Sequence, residues 1–213
     1  SMELVDQIDM GTFEVALKAI LGWGCGTVGQ IGEGLEHLKT AELDDGSVES
    51  VEFNWFAHII TAYLHLLKGD TDRANDCIVK AYGNLDMNEP KSSFGIYFGA
   101  FQFLPATVNG EVLWLLGKHE KLRDFAESSR QLMESRQNRI FALEMMRLKG
   151  QAEFAIGLYD EARKTLTLAR DRAQEFGAKR HLWPVLLYLS KVEQALGNPR
   201  SEDHLDQSRQ IVQ

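Results

Sequence analysis

Five glycines set a period that few folds can accommodate. Gly29, Gly69, Gly117, Gly157 and Gly197 lie 40, 48, 40 and 40 residues apart. Each follows an apolar, helix-like stretch and precedes a more polar, amphipathic one. Seven residues before each stands a small residue: Gly22, Ala62, Gly110, Gly150 and Ser190. Five residues after come Gly34, Ala74, Leu122, Ala162 and Glu202, and twelve after come Ala41, Ala81, Ser129, Ala169 and Arg209. A period of this length belongs to chains that stack one supersecondary unit on the next. Two antiparallel helices joined by a short turn approach closely only where side chains are small. Glycine suits the left-handed residue that ends the first helix. The pattern predicts that the positions seven before and five after each turn face each other across the hairpin.

The apolar residues agree. Nine before each turn lie Ile20, Ile60, Val108, Leu148 and Tyr188; five before it lie Gly24, Leu64, Val112, Ala152 and Val192. Positions four apart share one helix face. Nine after the turn come Leu38, Ile78, Ala126, Leu166 and Asp206, so the second helix also buries a stripe. The fifth unit breaks the rule after Gly197, as a terminal capping unit does. The expected fold is all-α, a right-handed α-α superhelix of about five helix pairs. The pairs fall at about 11–42, 51–85, 94–134, 138–175 and 180–212, within one repeat domain spanning 1–213. The eight extra residues of the long spacing fall between Gly83 and Pro105. Because proline cannot sit unkinked in a helix interior, Phe94 to Phe103 forms a separate helical turn or the first limb of a kinked helix.

Small–x6–Gly–x-aromatic–x2–Ala–x6–Ala resembles the signature of the tetratricopeptide repeat. The best copy is Gly150, Gly157, Tyr159, Ala162 and Ala169 in GQAEFAIGLYDEARKTLTLAR. The period of 40 exceeds the usual 34 or so. Longer repeats of this kind resemble the helical-repeat regions of bacterial LuxR-type, maltose-regulator-like activators and adenylate-cyclase-linked signalling ATPases. The phrases MRLKGQAEF, LARDRAQEFGAKRHLWPVLLYLSKVEQALGN and ILGWGCGTVGQIGEGLEHL carry that likeness. The resemblance implies a TPR-like, non-catalytic sensor or docking arm of a cytoplasmic signalling or transcription regulator. Ser1-Met2 reads as a cloning scar, so the chain is expected to be a fragment of a larger protein.

In such a fold the first helices line a concave face. Trp23, Tyr63, Glu111, Gln151 and Lys191, six before each turn glycine, are the expected lining. Trp114 stands three before its turn, and Thr107 and Arg147 one helical turn earlier. This face would suit a protein or peptide segment, or a small polar ligand. Tyr97, Phe98 and Phe101 form a second apolar cluster that could be core, an apolar lid or an oligomer contact. The two competing readings are a self-associating structural scaffold and a nucleotide-cofactor enzyme.

The enzyme reading rests on Gly24-Cys25-Gly26-Thr27-Val28-Gly29, a literal G-x-G-x-x-G. A dinucleotide site needs a strand before that motif and an acid some 20 residues on. Asp44 and Asp45 supply the acid, but the preceding FEVALKAILG is helix-like. No phosphate loop of the G-x-x-x-x-G-K-[ST] type occurs, and no cofactor is expected. His58 and His65 are seven apart, whereas a metal pair on one helix prefers three or four. Cys25 and Cys77 read as small packing residues, with no C-x-x-C for zinc, and fit a reducing cytoplasm. No metal site is expected.

Charge narrows the partners. A net −8 and a pI near 5.3 argue against nucleic acid. The 44% hydrophobic fraction excludes a disordered acidic tail. From Phe94 to Gly117 the single charge is Glu111, yet Gln102, Pro105 and Asn109 interrupt any membrane span. Residues 1–100 hold 6 basic and 16 acidic side chains, and residues 101–213 hold 17 and 15. That asymmetry could attract a basic partner or the C-terminal end of a second copy, but ordinary solubility is the better account of it.

Overall fold

A computed structural model describes residues 10–39, 48–82 and 104–212. Among these residues every regular element is helical: α1 (Met10–Thr27), α2 (Ile31–Leu38), α3 (Val48–Leu67), α4 (Thr71–Tyr82), α5 (Leu104–Leu115), α6 (His119–Ser135), α7 (Arg139–Ala155), α8 (Tyr159–Glu175), α9 (Lys179–Ala195) and α10 (Arg200–Val212). They pack in consecutive pairs. The chain divides into two compact units, 1–86 with α1–α4 and 87–213 with α5–α10.

One turn joins the two helices of every pair. The repeat glycines adopt left-handed backbone, with φ between 68° and 82°. The N–H of the following residue returns to the carbonyl of the last helical turn: Leu158 to Glu153 at 2.9 Å, Lys118 to Leu113 at 3.0 Å. This six-to-one bond satisfies a carbonyl the helix end would orphan. The same bond closes α6 onto α7, from Asn138 to Met133 at 2.9 Å, but there the left-handed residue is Gln137 at φ 59°. A side chain in that conformation costs about 1–2 kcal/mol.

The expected core positions are filled as the repeat requires. Ile60, Leu64, Val108, Val112, Leu148, Ala152 and Val192 are buried on the first helices, and Ala74, Leu122, Ala162 and Leu166 on the second. Leu113, Phe125, Met145 and Leu148 anchor one cluster of the second unit. Leu143, Leu166, Leu189 and Val192 anchor the other. The small residues seven before each turn are buried too, and they meet the position five after the turn at Gly22 with Gly34 and at Gly110 with Leu122, 3.6 Å from an added Cβ. A Cβ on Gly34 would lie 2.9 Å from the Gly22 carbonyl oxygen. In the fourth hairpin the space above Gly150 is taken by Leu166, nine after the turn, at 2.5 Å from such a Cβ. At Gly110 it is taken by Leu148 of the next pair at 2.6 Å. A small residue here admits whichever leucine reaches it.

The fifth hairpin is shifted rather than decayed. Every other second helix begins two residues after its glycine, but α10 begins three after Gly197, at Arg200. Asn198 and Pro199 occupy the turn, and the Asn198 side chain accepts the Arg200 N–H at 3.1 Å. The buried residues of α10 are accordingly His204 and Ser208, whereas Glu202, Asp206 and Arg209, which break the register, face solvent. The Ser208 hydroxyl donates to the Trp183 carbonyl at 2.9 Å, fastening α10 to α9.

Pro105 is the second residue of α5, a first-turn place where its missing N–H is no loss. Phe94 to Phe103 lie outside the described residues, as do Asp44 and Asp45. No helix among the described residues is long and apolar enough to cross a membrane.

Two substitutions read this packing. Gly150→Ala drives a Cβ into Leu166 and should destabilise by about 1–3 kcal/mol. Gln137→Gly relieves left-handed strain and should stabilise by about 1 kcal/mol. Urea unfolding followed by circular dichroism checks both signs.

Candidate binding face

The first helices of the second unit are arranged so that α7 packs against both α5 and α9. Glu111 and Thr107 lie on one face of α5, four residues apart. Arg147 lies on the α7 face that meets them. Its Nη2 donates to the Glu111 carboxylate. Its Nε donates back to Glu144, three residues earlier on α7, at 2.7 Å. The other Glu144 oxygen is 2.5 Å from Nδ1 of His181 on α9. One guanidinium and one carboxylate thus tie three successive first helices together.

Electrostatics makes the arrangement firm. Burial pushes the Glu144 carboxyl up, but the Arg147 charge and the His181 hydrogen bond outweigh it and hold the group at about 2. Burial likewise opposes the charge on Arg147, and Glu144 and Glu111 overcome it and raise the guanidinium above its ordinary value. An ionised Glu144 only accepts hydrogen bonds, so His181 presents Nδ1–H to it. The buried arginine is consumed by these bonds. It is scaffold for the face rather than a free hook for a ligand.

Beside the network lies an aromatic shelf. Tyr188 of α9 meets Trp114 of α5 edge-on, with centroids 5.9 Å apart at 88°. It meets Phe154 of α7 at 6.4 Å and 77°. Lys191 sits one turn along α9 with its ammonium 4.5 Å from the Tyr188 ring centroid. Trp114 also leans on His119, at 4.8 Å between centroids. Edge-on aromatic pairs and a cation over a ring each contribute of order 0.5–1.5 kcal/mol. They hold the shelf in place without covering it. Trp114, Phe154 and Tyr188 are all half-buried, and Lys191 is exposed. Burial raises the Tyr188 phenol, which therefore stays neutral and able to donate.

The structure places the sequence candidates unequally. Glu111 and Arg147 join in one ion pair, and Trp114 and Lys191 both meet Tyr188, whose phenol feels the charges of Arg147 and Glu111. Thr107 is half-buried beside them on α5. Gln151 is buried beneath the face. Trp23 and Tyr63 belong to the first unit, on α1 and α3, and both are half-buried. Tyr63 packs at Gly26, where an added Cβ would be 3.5 Å from its ring. Tyr97, Phe98 and Phe101 lie outside the described residues. Sequence reasoning missed Glu144, His181 and Tyr188. Tyr188 was legible only as an apolar stripe position. Glu144 had one signal, its place three residues before Arg147 on the same helix face.

The glycine motif has a packing explanation. Gly24 to Thr27 are the last residues of α1, and helix rather than strand precedes them. A Cβ on Gly26 would lie 2.5 Å from Leu64 of α3, and Gly29 is the left-handed turn residue. The strand–turn–helix geometry of a dinucleotide site is not formed.

Comparison with known proteins gives the fold a precedent. No protein-family model and no curated protein matches the chain. Solved structures do: crystal structures of the nearly identical TPR-like repeats of a provisionally assigned kinesin light chain from Podosopora anserina. One form is a point variant with a TM-score of 0.63; the other has 0.62. Both are 13% identical to this chain and cover 96% of it and 97% of their own length. The likeness shows a TPR-like repeat fold.

The network predicts acid sensitivity. The Glu144 carboxyl is depressed in the folded state, so the stability it adds is complete above the unfolded value of about 4.3. It is lost as pH falls towards about 2. Glu127, held at about 2 by Arg130 and Lys149, acts in the same window. Glu144→Gln leaves Arg147 under-paired and should cost about 2–4 kcal/mol at pH 7. It should also flatten the loss of stability between about pH 4.3 and 2. Urea unfolding across that range measures both, and an unchanged pH slope would remove Glu144 from this role.

Proposed function

We propose that this chain is a TPR-like protein-binding module. Its contact surface is the face built on α5, α7 and α9. The reading rests on one observation: a half-exposed shelf of Trp114, Phe154 and Tyr188, with the exposed Lys191 at its edge, stands on a buried and fully engaged charge network. Rigid aromatic groups beside a single cation suit an extended peptide that carries a large apolar or aromatic side chain next to a carboxylate. The preorganised shelf loses little entropy on binding, and the rim lysine supplies attraction and register. Trp23 and Tyr63 offer a comparable pair of half-exposed aromatics in the first unit.

We assign the module to a cytoplasmic bacterial signalling or transcription regulator. Support for that setting is the likeness of MRLKGQAEF and of the α8–α9 segment to the helical-repeat arms of such regulators. Within it the arm would report partner binding to an output domain by shifting a conformational equilibrium.

The test is selection of a random peptide library on the full chain, followed by polarisation titration of the enriched peptides. Enriched sequences should pair an acidic residue with an aromatic or large apolar one. Trp114→Ala and Lys191→Glu should each weaken binding more than about tenfold. Lys191→Glu should leave the unfolding free energy within about 0.5 kcal/mol of the parent. Peptides that bind both variants as tightly as the parent would place the contact surface elsewhere.

A further inference from the structure

We propose that the first hairpin carries a site for a borderline-soft divalent cation of the zinc class, with Cys25 on α1 and Glu33 and His37 on α2 as its ligands. One potential donor atom from each residue, the cysteine sulfur, a carboxylate oxygen and an imidazole nitrogen, lies within 4.8 Å of the other two. Tetrahedral zinc with sulfur at about 2.3 Å and nitrogen or oxygen at about 2.0 Å has ligand–ligand edges of about 3.3–3.6 Å. The three donors therefore need to close by about 1 Å, within the reach of side-chain rotation.

The backbone already enforces the approach. Gly22 and Gly34 let α1 and α2 touch, and a Cβ added to Gly34 would stand 3.2 Å from the Cβ of Cys25. Cys25 is pinned in the closing turn, where its carbonyl accepts the Gln30 N–H at 2.8 Å. Glu33 and His37 are four apart on α2 and so share one face, the spacing a helix uses to present two ligands to one ion. Glu36, the other carboxylate of α2, is held by Lys39 at 2.6 Å.

The register is a meeting point in another hairpin too. Cys25, Glu33 and His37 stand four before, four after and eight after Gly29. The same places around Gly157 hold Glu153, Glu161 and Thr165. There burial pushes the Glu153 carboxyl up, a hydrogen bond with Thr165 opposes that, and Glu161 is near enough to add to the rise. In the first hairpin this point carries one sulfur, one oxygen and one nitrogen donor.

That donor set selects the ion. Thiolate and imidazole together favour zinc over magnesium or calcium, which take oxygen. Three protein ligands leave a fourth position for water. Binding forms a sulfur–metal bond and breaks the Cys25 S–H bond, releasing that proton to solvent. His37 binds through a neutral imidazole nitrogen. Affinity must then rise with pH as the thiol gives up its proton. The bound ion would clip the eight-residue α2 to the end of α1.

Titration of the reduced, metal-free full chain with Zn²⁺ and Co²⁺ tests this. One equivalent should bind, and Co²⁺ should give a thiolate charge-transfer band with tetrahedral visible absorption. Cys25→Ser and His37→Gln should each weaken Zn²⁺ binding by more than about tenfold, beyond what loss of an outer-shell partner does at the low end. Cys77→Ser should not weaken it. Zn²⁺ should also slow alkylation of Cys25 relative to Cys77 in the unsubstituted chain, mapped by mass spectrometry. That readout stands even where a variant folds poorly. Absence of a thiolate band, unchanged Cys25 alkylation, or binding that survives Cys25→Ser would each overturn the site.

Discussion

Everything in this molecule depends on how closely two antiparallel helices are allowed to approach. The turn is fixed by one left-handed residue and one six-to-one hydrogen bond, repeated at every pair. With the turn fixed, the distance between helices is decided seven residues upstream, where Gly150 admits Leu166 and Gly22 lies against Gly34. Dispersion forces fall steeply with separation, so a gap of even half an ångström here would forfeit much of the packing energy. The leucines that fill these notches then become the buried cores of the second unit. Side chains outside the notches are placed by the same spacing, the proposed metal ligands and the aromatic shelf among them.

Much of the fold was legible because it is periodic. The first four pairs repeat one rule, and a rule that recurs can be separated from chance without any knowledge of the partner surfaces. The fifth pair shows the limit. Counted from Gly197, the register places hold Glu202, Asp206 and Arg209, which break the pattern, and with Pro199 in the turn α10 starts one residue late. A slip of one residue rotates a helix by about 100°, enough to replace the whole buried face. At Gly150 the nearest side chain is a large one, Leu166, nine residues after the turn. Volume complementarity lets a glycine face a leucine as readily as an alanine.

The proposed binding face was legible only in part. The register placed Glu111, Trp114, Arg147 and Lys191 on the first helices; the structure pairs Glu111 with Arg147 and sets Trp114 and Lys191 against Tyr188. The register did not say that Arg147 would be engaged twice and buried, because that depends on Glu144, three residues before it, which His181 on α9 in turn holds. Helical periodicity states which face a residue is on. It carries no information about which neighbour on the next helix has the complementary charge. Buried ion pairs are therefore where a periodic reading falls short.

The Glu111–Arg147–Glu144–His181 chain has a mechanical meaning. A stack of helix pairs behaves as a spring, since each pair touches only its neighbours and small rotations add along the array. Apolar contacts slide at little cost, so such a spring is ordinarily soft. Here three consecutive coils are joined by directional bonds in a low-dielectric setting, where displacing a charge leaves its partner unsolvated. Bending between α5, α7 and α9 is opposed in a way that bending across leucine and alanine alone is not. The α5–α7–α9 stretch that carries the aromatic shelf is thus stiffened by its charge network.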